Sequence, residues 1–159
     1  MQPITRDEFA TLIIAPLVRS RLRRELRFVP EEINSWEDRD FLAVTTKSGA
    51  EGALIIPFAG MLVVPFRLQK RMPNKMGRTE AIICDICATW QRGSNSAVIT
   101  FPKGKSSTSF LVCADLNCSL HVRNKTPESI LSRTQLREHN TVEDRISRLR
   151  SRLQNILNT

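Results

Sequence analysis

Cys84-Asp85-Ile86-Cys87 and, after an insert of 25 residues, Cys113-Ala114-Asp115-Leu116-Asn117-Cys118 contain every cysteine of this 159-residue chain. Tetrahedral zinc takes four thiolate or imidazole ligands at about 2.0–2.3 Å, and two short-spaced pairs flanking a hairpin-sized insert let one chain deliver them. The pattern predicts one structural zinc ion on Cys84, Cys87, Cys113 and Cys118. Disulfides would need an oxidising compartment. The opening Met1-Gln2-Pro3-Ile4-Thr5-Arg6-Asp7-Glu8 instead runs into a charged amphipathic segment with no apolar signal-peptide core, which predicts a cytoplasmic chain with reduced thiols. A redox Cys-x-x-Cys would leave the second pair unexplained. With four cysteines at hand, His121 reads as a helix residue beside the site and His139 as unconnected to it. Ligand number alone does not separate zinc from iron, which a four-cysteine site also holds.

Working outward, Ile82-Ile83-Cys84 enters as a strand and the first pair forms a knuckle. Ser96–Phe101 and Thr108–Cys113 form a hairpin around Pro102-Lys103-Gly104-Lys105. The second pair straddles a strand-to-helix switch, with Asp115 as N-cap and Cys118 in the first helical turn, where amide dipoles favour a thiolate. Knuckle, hairpin and a second pair carried on a helix make a treble-clef finger. Thr126-Pro127-Glu128 opens a short helix with Ile130 and Leu131. Thr141-Val142-Glu143-Asp144 starts the last helix, where Val142, Ile146, Leu149, Leu153, Ile156 and Leu157 share roughly 100° of arc, the stripe of a core-facing helix. Arg148 and Arg152 lie off it. That run of about two heptads is short for a coiled-coil dimer, so a monomer is predicted.

Upstream of the finger, Thr5 to Glu8 reads as a capping box for a helix with Phe9, Leu12 and Ile13 facing inward, kinked or restarted at Pro16. Arg19, Arg21, Arg23, Arg24 and Arg27 crowd its continuation, either as a solvated face or as an interaction patch. Phe41–Thr46, Ala53–Phe58 and Met61–Arg67 read as an antiparallel meander punctuated by Ser48-Gly49 and Ala59-Gly60. A basic connector, Gln69 to Arg78, reads as a mobile link suited to touching something negative. The chain is thus expected to be one α+β domain, a small antiparallel sheet with flanking helices and a treble-clef zinc finger. It has a helical and β-meander part over about 1–68, a linker over about 69–79, and the zinc module with its C-terminal helices over about 80–159.

The net charge of +8 is unevenly spread. Residues 1–63 hold eight Lys/Arg against nine Asp/Glu, and residues 64–159 hold sixteen against seven. The basic surplus travels with the cysteines and favours polyanions or an acidic protein surface. The apolar runs are too short to cross a bilayer. Nothing resembles a phosphate-binding loop, a dinucleotide turn or a nucleophile elbow, and no tyrosine is present, so an enzyme is not expected.

Four separated segments carry a family resemblance: Ser35-Trp36-Glu37-Asp38-Arg39-Asp40-Phe41-Leu42, the Cys84–Cys87 knuckle, Cys113 through Lys125, and Leu136-Arg137-Glu138. In this order they resemble the elongation factor G-binding proteins, known best as fusidic-acid resistance proteins. Such proteins bind the translocase and promote its release from the ribosome when the drug has locked it there. Their fold is a helical bundle followed by a treble-clef zinc domain, and this chain resembles the zinc domain with an N-terminal helix of its own. The resemblance implies elongation factor G as partner, on or near the ribosome; drug resistance need not follow if the bundle contributes to it. The partner-facing candidates are Trp90 and Arg92 after the knuckle, Lys103 and Lys105 at the hairpin tip, and Arg123 and Lys125 at the helix end, since Trp and Arg dominate interface energetics. Trp36 reads as core. The alternative is direct binding of ribosomal RNA by phosphate contact, although no basic-aromatic interleaving marks a base-stacking platform.

Overall fold

Thr5 opens α1 (Arg6–Leu12) with both halves of a capping box: Glu8 N–H donates to Thr5 Oγ1 at 3.2 Å, and Thr5 N–H donates to Glu8 Oε2 at 2.7 Å. In this computed structural model, which describes residues 1–58, 60–130 and 139–158, Pro16 lies in a turn and the chain restarts as α2 (Ser20–Glu25). The turn is held by Arg23, whose guanidinium donates to the carbonyls of Val18, Ile14 and Ala15 at 2.8, 3.1 and 3.2 Å. Arg21 pairs with Glu25 and Glu51, and Arg27 with Glu32.

The chain divides into two compact units: residues 1–68 with 100–107, and residues 69–99 with 108–159. In the first, β1 (Leu42–Thr45), β2 (Glu51–Ile56) and β3 (Leu62–Lys70) form an antiparallel meander, with Leu42 opposite Ile55 and Leu54 opposite Val64. The expected strands shift at their ends. β2 starts at Glu51, and β3 continues three residues past Arg67 because Leu68 still buries its side chain. Gly52 is required within β2, since a Cβ there would stand 2.5 Å from the Phe66 ring and 2.5 Å from Val44 O. Ile4, Phe9, Leu42, Val44 and Ile55 make one apolar cluster, joined at its edge by Phe28 and Trp36, and Val18, Ala53 and Val63 make another. Phe9 and Phe28 stack at 4.3 Å. Ala59, half of an expected turn, lies outside the described residues.

β6 (Ser96–Lys103) and β7 (Ser106–Cys113) are neighbours in a sheet and run through both units. Gly104 turns between them at φ 59, shortening the expected connection to two residues. The second unit also holds the ribbon of β4 (Ile82–Ile83) and β5 (Trp90–Gln91), α3 (Cys118–Val122), a helical stretch over 127–130, and α4 (Val142–Asn158). α4 packs on α3 and buries Leu149 and Leu153. Two arginines of this helix reach partners inside the unit. Arg145, next to the apolar stripe, is 1% exposed and donates to Asn124 Oδ1 at 2.9 Å, while Arg152 turns inward to Asp85 O at 3.1 Å. Leu131, Leu136-Arg137-Glu138 and the Leu157 side chain lie outside the described residues. The architecture is α+β, a small antiparallel sheet with helices and a treble-clef finger. No helix among the described residues is long and apolar enough to cross a membrane.

Candidate metal centre

Backbone hydrogen bonds shape the knuckle. Cys84 N–H donates to Thr89 O at 2.9 Å, and Ala88 N–H donates to Cys84 O at 2.8 Å, with Ala88 in the left-handed region at φ 56. Asp85 ties the knuckle to β7 twice: its N–H donates to Leu111 O and its carboxylate accepts from Leu111 N–H, both at 2.7 Å. On the other side, Leu116 at φ 52 turns the chain so that Cys113, ending β7, and Cys118, opening α3, face the same point. Asn124 at φ 57 closes α3, and Lys125 N–H reaches back to Leu120 O at 3.0 Å.

All four thiols are buried and within 4.8 Å of one another. Cys84 and Cys118 stand 3.8 Å apart, Cys113 and Cys118 3.6 Å, and Cys87 and Cys113 3.5 Å, measured between sulfurs. A tetrahedron with zinc–sulfur bonds of about 2.3 Å has edges of about 3.8 Å. A disulfide would need about 2.05 Å. The donor set therefore fits one structural zinc ion on Cys84, Cys87, Cys113 and Cys118, with every coordination position filled by protein.

The electrostatics agree. Burial raises the Cys84 thiol, but hydrogen bonding with Cys113, Cys118 and Cys87 outweighs it and holds the group well below the ordinary thiol value. Burial pushes the Cys113 thiol well above that value, and the interaction with Cys113 does the same to Cys118. A bound dication is what lets all four become thiolates.

A polar chain, buried at Thr89, Gln91 and His121, starts beside the Cys87 sulfur. Thr89 Oγ1 lies 2.8 Å from Cys87 Sγ and accepts from Gln91 Nε2 at 2.8 Å; Gln91 Oε1 accepts from Asn95 Nδ2 at 2.9 Å. Asn95 then grips Asp115 from both sides, donating to its Oδ2 at 3.2 Å and accepting from its N–H at 3.1 Å. Asp115 Oδ1 faces His121 Nε2 at 3.2 Å, and His121 Nδ1 faces Thr126 Oγ1 at 2.6 Å. Burial raises the Asp115 carboxyl, but the His121 contact and the Asn117 and Asn95 hydrogen bonds prevail and hold it below the ordinary carboxylate value. Cys113, Asp115 and His121 also cluster as potential ligands, yet both imidazole nitrogens are already engaged, so His121 orients the second pair from beside it.

Asp115 is not the N-cap of α3. That position is Asn117, whose N–H donates to Asp115 Oδ1 at 3.0 Å. Among the partner-facing candidates, Lys103 and Lys105 are exposed within the first unit's stretch. The other four belong to the second unit. Trp90 is half-buried and pairs with Ile83 across the ribbon, and Arg123 is half-buried with Nη1 donating to Ser119 O at 2.9 Å, whereas Arg92 and Lys125 are exposed. Thr89, Gln91, Asn95 and Arg152 escape sequence reading, because none follows a motif. The one available signal is the alternation Thr89-Trp90-Gln91, which puts two small-to-medium polar groups on one face of a strand next to the knuckle.

The family model described as the FBP C-terminal treble-clef zinc-finger matches residues 20–159. Neither a curated protein nor a solved structure matches the chain.

Proposed function

The chain belongs to the FBP C-terminal treble-clef zinc-finger family, and from that premise we propose that it is a cytoplasmic binding protein whose partner is elongation factor G, promoting its release from the ribosome. The observation that carries this reading is the closed metal site: four buried thiolates leave no open position for water or substrate, so the metal organises a surface and performs no chemistry. Two of the segments that resemble elongation factor G-binding proteins, the Cys84–Cys87 knuckle and Cys113 through Lys125, carry the four ligands of that site. Such a protein needs no catalytic residue and works by occupying a surface.

The basic surplus of residues 64–159 supports a second reading, direct contact with ribosomal RNA. The two separate in a capture experiment with the zinc-loaded chain, purified elongation factor G and ribosomal RNA, at low and high salt. Stoichiometric, salt-tolerant capture of the factor is the expected result. Capture of RNA alone, lost at high salt, would replace the first reading with the second.

A further inference from the structure

The connector between the meander and the knuckle, read from sequence as a mobile link, is a closed and presented loop. Asn74 organises it: its N–H donates to Arg78 O at 2.8 Å, its carbonyl accepts from Gly77 N–H at 2.9 Å, and its Oδ1 accepts from Met76 N–H at 2.9 Å and Arg78 N–H at 3.0 Å. Its base is pinned at both ends. Arg71 N–H donates to Ser96 O at 3.2 Å and its Nη1 to Glu80 O at 3.0 Å, while Thr79 packs so tightly on Gly93 that a Cβ there would collide with the Thr79 backbone. What this hydrogen-bonded frame displays is unusual: Met72 is 80% exposed and Met76 82% exposed, with exposed Lys70, Lys75 and Arg78 around them. Between residues 69 and 80, four basic residues stand against Glu80 alone.

We propose that this loop is a docking surface for an acidic protein, with Met72 and Met76 seated in an apolar hollow on the partner and Lys75 and Arg78 meeting carboxylates on its rim. The inference rests on the binding-protein reading above and names the face that does the binding. Methionine is the adaptable apolar side chain of protein-recognition surfaces. A nucleic-acid platform would offer aromatic rings for base stacking, and residues 69–80 contain none. The hydrogen-bonded frame also removes much of the ordering cost that a floppy linker would bring to association.

The chain has four methionines, Met1, Met61, Met72 and Met76, which makes the test direct. The full-length, zinc-loaded chain carrying carbon-13 methyl methionine is titrated with purified elongation factor G and, separately, with ribosomal RNA. The expected result is broadening of the Met72 and Met76 methyl signals by the factor while Met1 and Met61 stay sharp. Met72→Ser with Met76→Ser, and separately Lys75→Glu with Arg78→Glu, should each weaken capture of the factor by about tenfold or more at unchanged zinc content. Asn74→Ala, which loosens the frame and leaves the displayed side chains in place, should weaken it less. If the factor is captured by the double-serine variant at full affinity, the docking surface is overturned and the elongation factor reading survives. If wild type does not capture the factor and RNA shifts the loop signals instead, both are overturned in favour of a polyanion. If neither ligand moves a methyl signal and neither is captured, both are likewise overturned.

Discussion

The two units close their interiors with different materials. Residues 1–68 do it with hydrocarbon: Ile4, Phe9, Leu42, Val44 and Ile55 pack together, and among the described residues only Asp40 and Thr46 of this stretch are polar and buried. The second unit buries Thr89, Gln91, Ser96, Ser119, His121, Ser129 and Arg145 together with four sulfurs and apolar side chains such as Ile86, Ile99 and Leu149. Buried polar groups cost stability unless each finds a partner: the chain from Cys87 to Thr126 partners Thr89, Gln91 and His121, Thr126 O accepts from Ser129, and Asn124 accepts from Arg145. One interior is held by exclusion of water and tolerates small errors of geometry. The other is held by directional bonds to an ion and tolerates few.

The most drastic way to break that contrast is to remove the metal. Cys118→Ser, or a strong chelator, should abolish zinc binding and forfeit on the order of 10 kcal/mol of apparent folding free energy in the second unit. Amide exchange should then accelerate across residues 82–99 and 108–153 and stay slow over 42–56; equal loss in both stretches would show that the two interiors are not separately supported. A hydrocarbon lesion should do the reverse. Ile55→Ala, at a fully buried site, should cost about 2–5 kcal/mol by urea unfolding and leave zinc stoichiometry untouched. A gentler probe of the directional interior is Thr89→Val, which keeps shape and removes the hydroxyl beside Cys87 Sγ. Zinc affinity in a chelator competition should fall about 10–100-fold, as for other groups that orient metal ligands. Gly52→Ala sharpens the picture of the first unit, since the new methyl must displace the Phe66 ring and push back the Val44 carbonyl, at about 3 kcal/mol.

The smallest effect is a pH dependence. Glu8 is held below the ordinary carboxylate value by hydrogen bonds from Thr5 N–H and the Thr5 hydroxyl. A depressed folded value means that its contribution is present above the unfolded pKa of about 4.3 and is lost as pH falls through the folded one. Acidification below that point should lower the unfolding midpoint of the first unit slightly more in wild type than in Glu8→Gln.

What sequence reading reaches in this molecule is whatever obeys a local rule. The cysteine pairs, the Thr5–Glu8 box and the meander turn at Gly49 each depend on spacings of a few residues, and all appear in the structure. Asp115 shows the limit. Acidic residues favour N-caps, but this one is claimed by Asn95, 20 residues upstream, and by His121, so Asn117 takes the cap. Arg145 shows it again: it carries no local signal of burial, and the partner that makes burial acceptable, Asn124, lies 21 residues away. The basic connector was legible as charge and illegible as a frame, because its closure depends on one Asn side chain and on Thr79 meeting a glycine 14 positions later.

Arg152 sets a clock on synthesis. The fourth sulfur ligand is residue 118, so a nascent chain can gather its zinc once that residue has emerged from the ribosome, but the guanidinium that clasps the knuckle carbonyl of Asp85 comes 34 residues later. At about 5–20 residues per second, the loaded finger waits about 2–7 seconds for its last fastening. During that interval all four ligands are available to the metal while the knuckle is still unclasped.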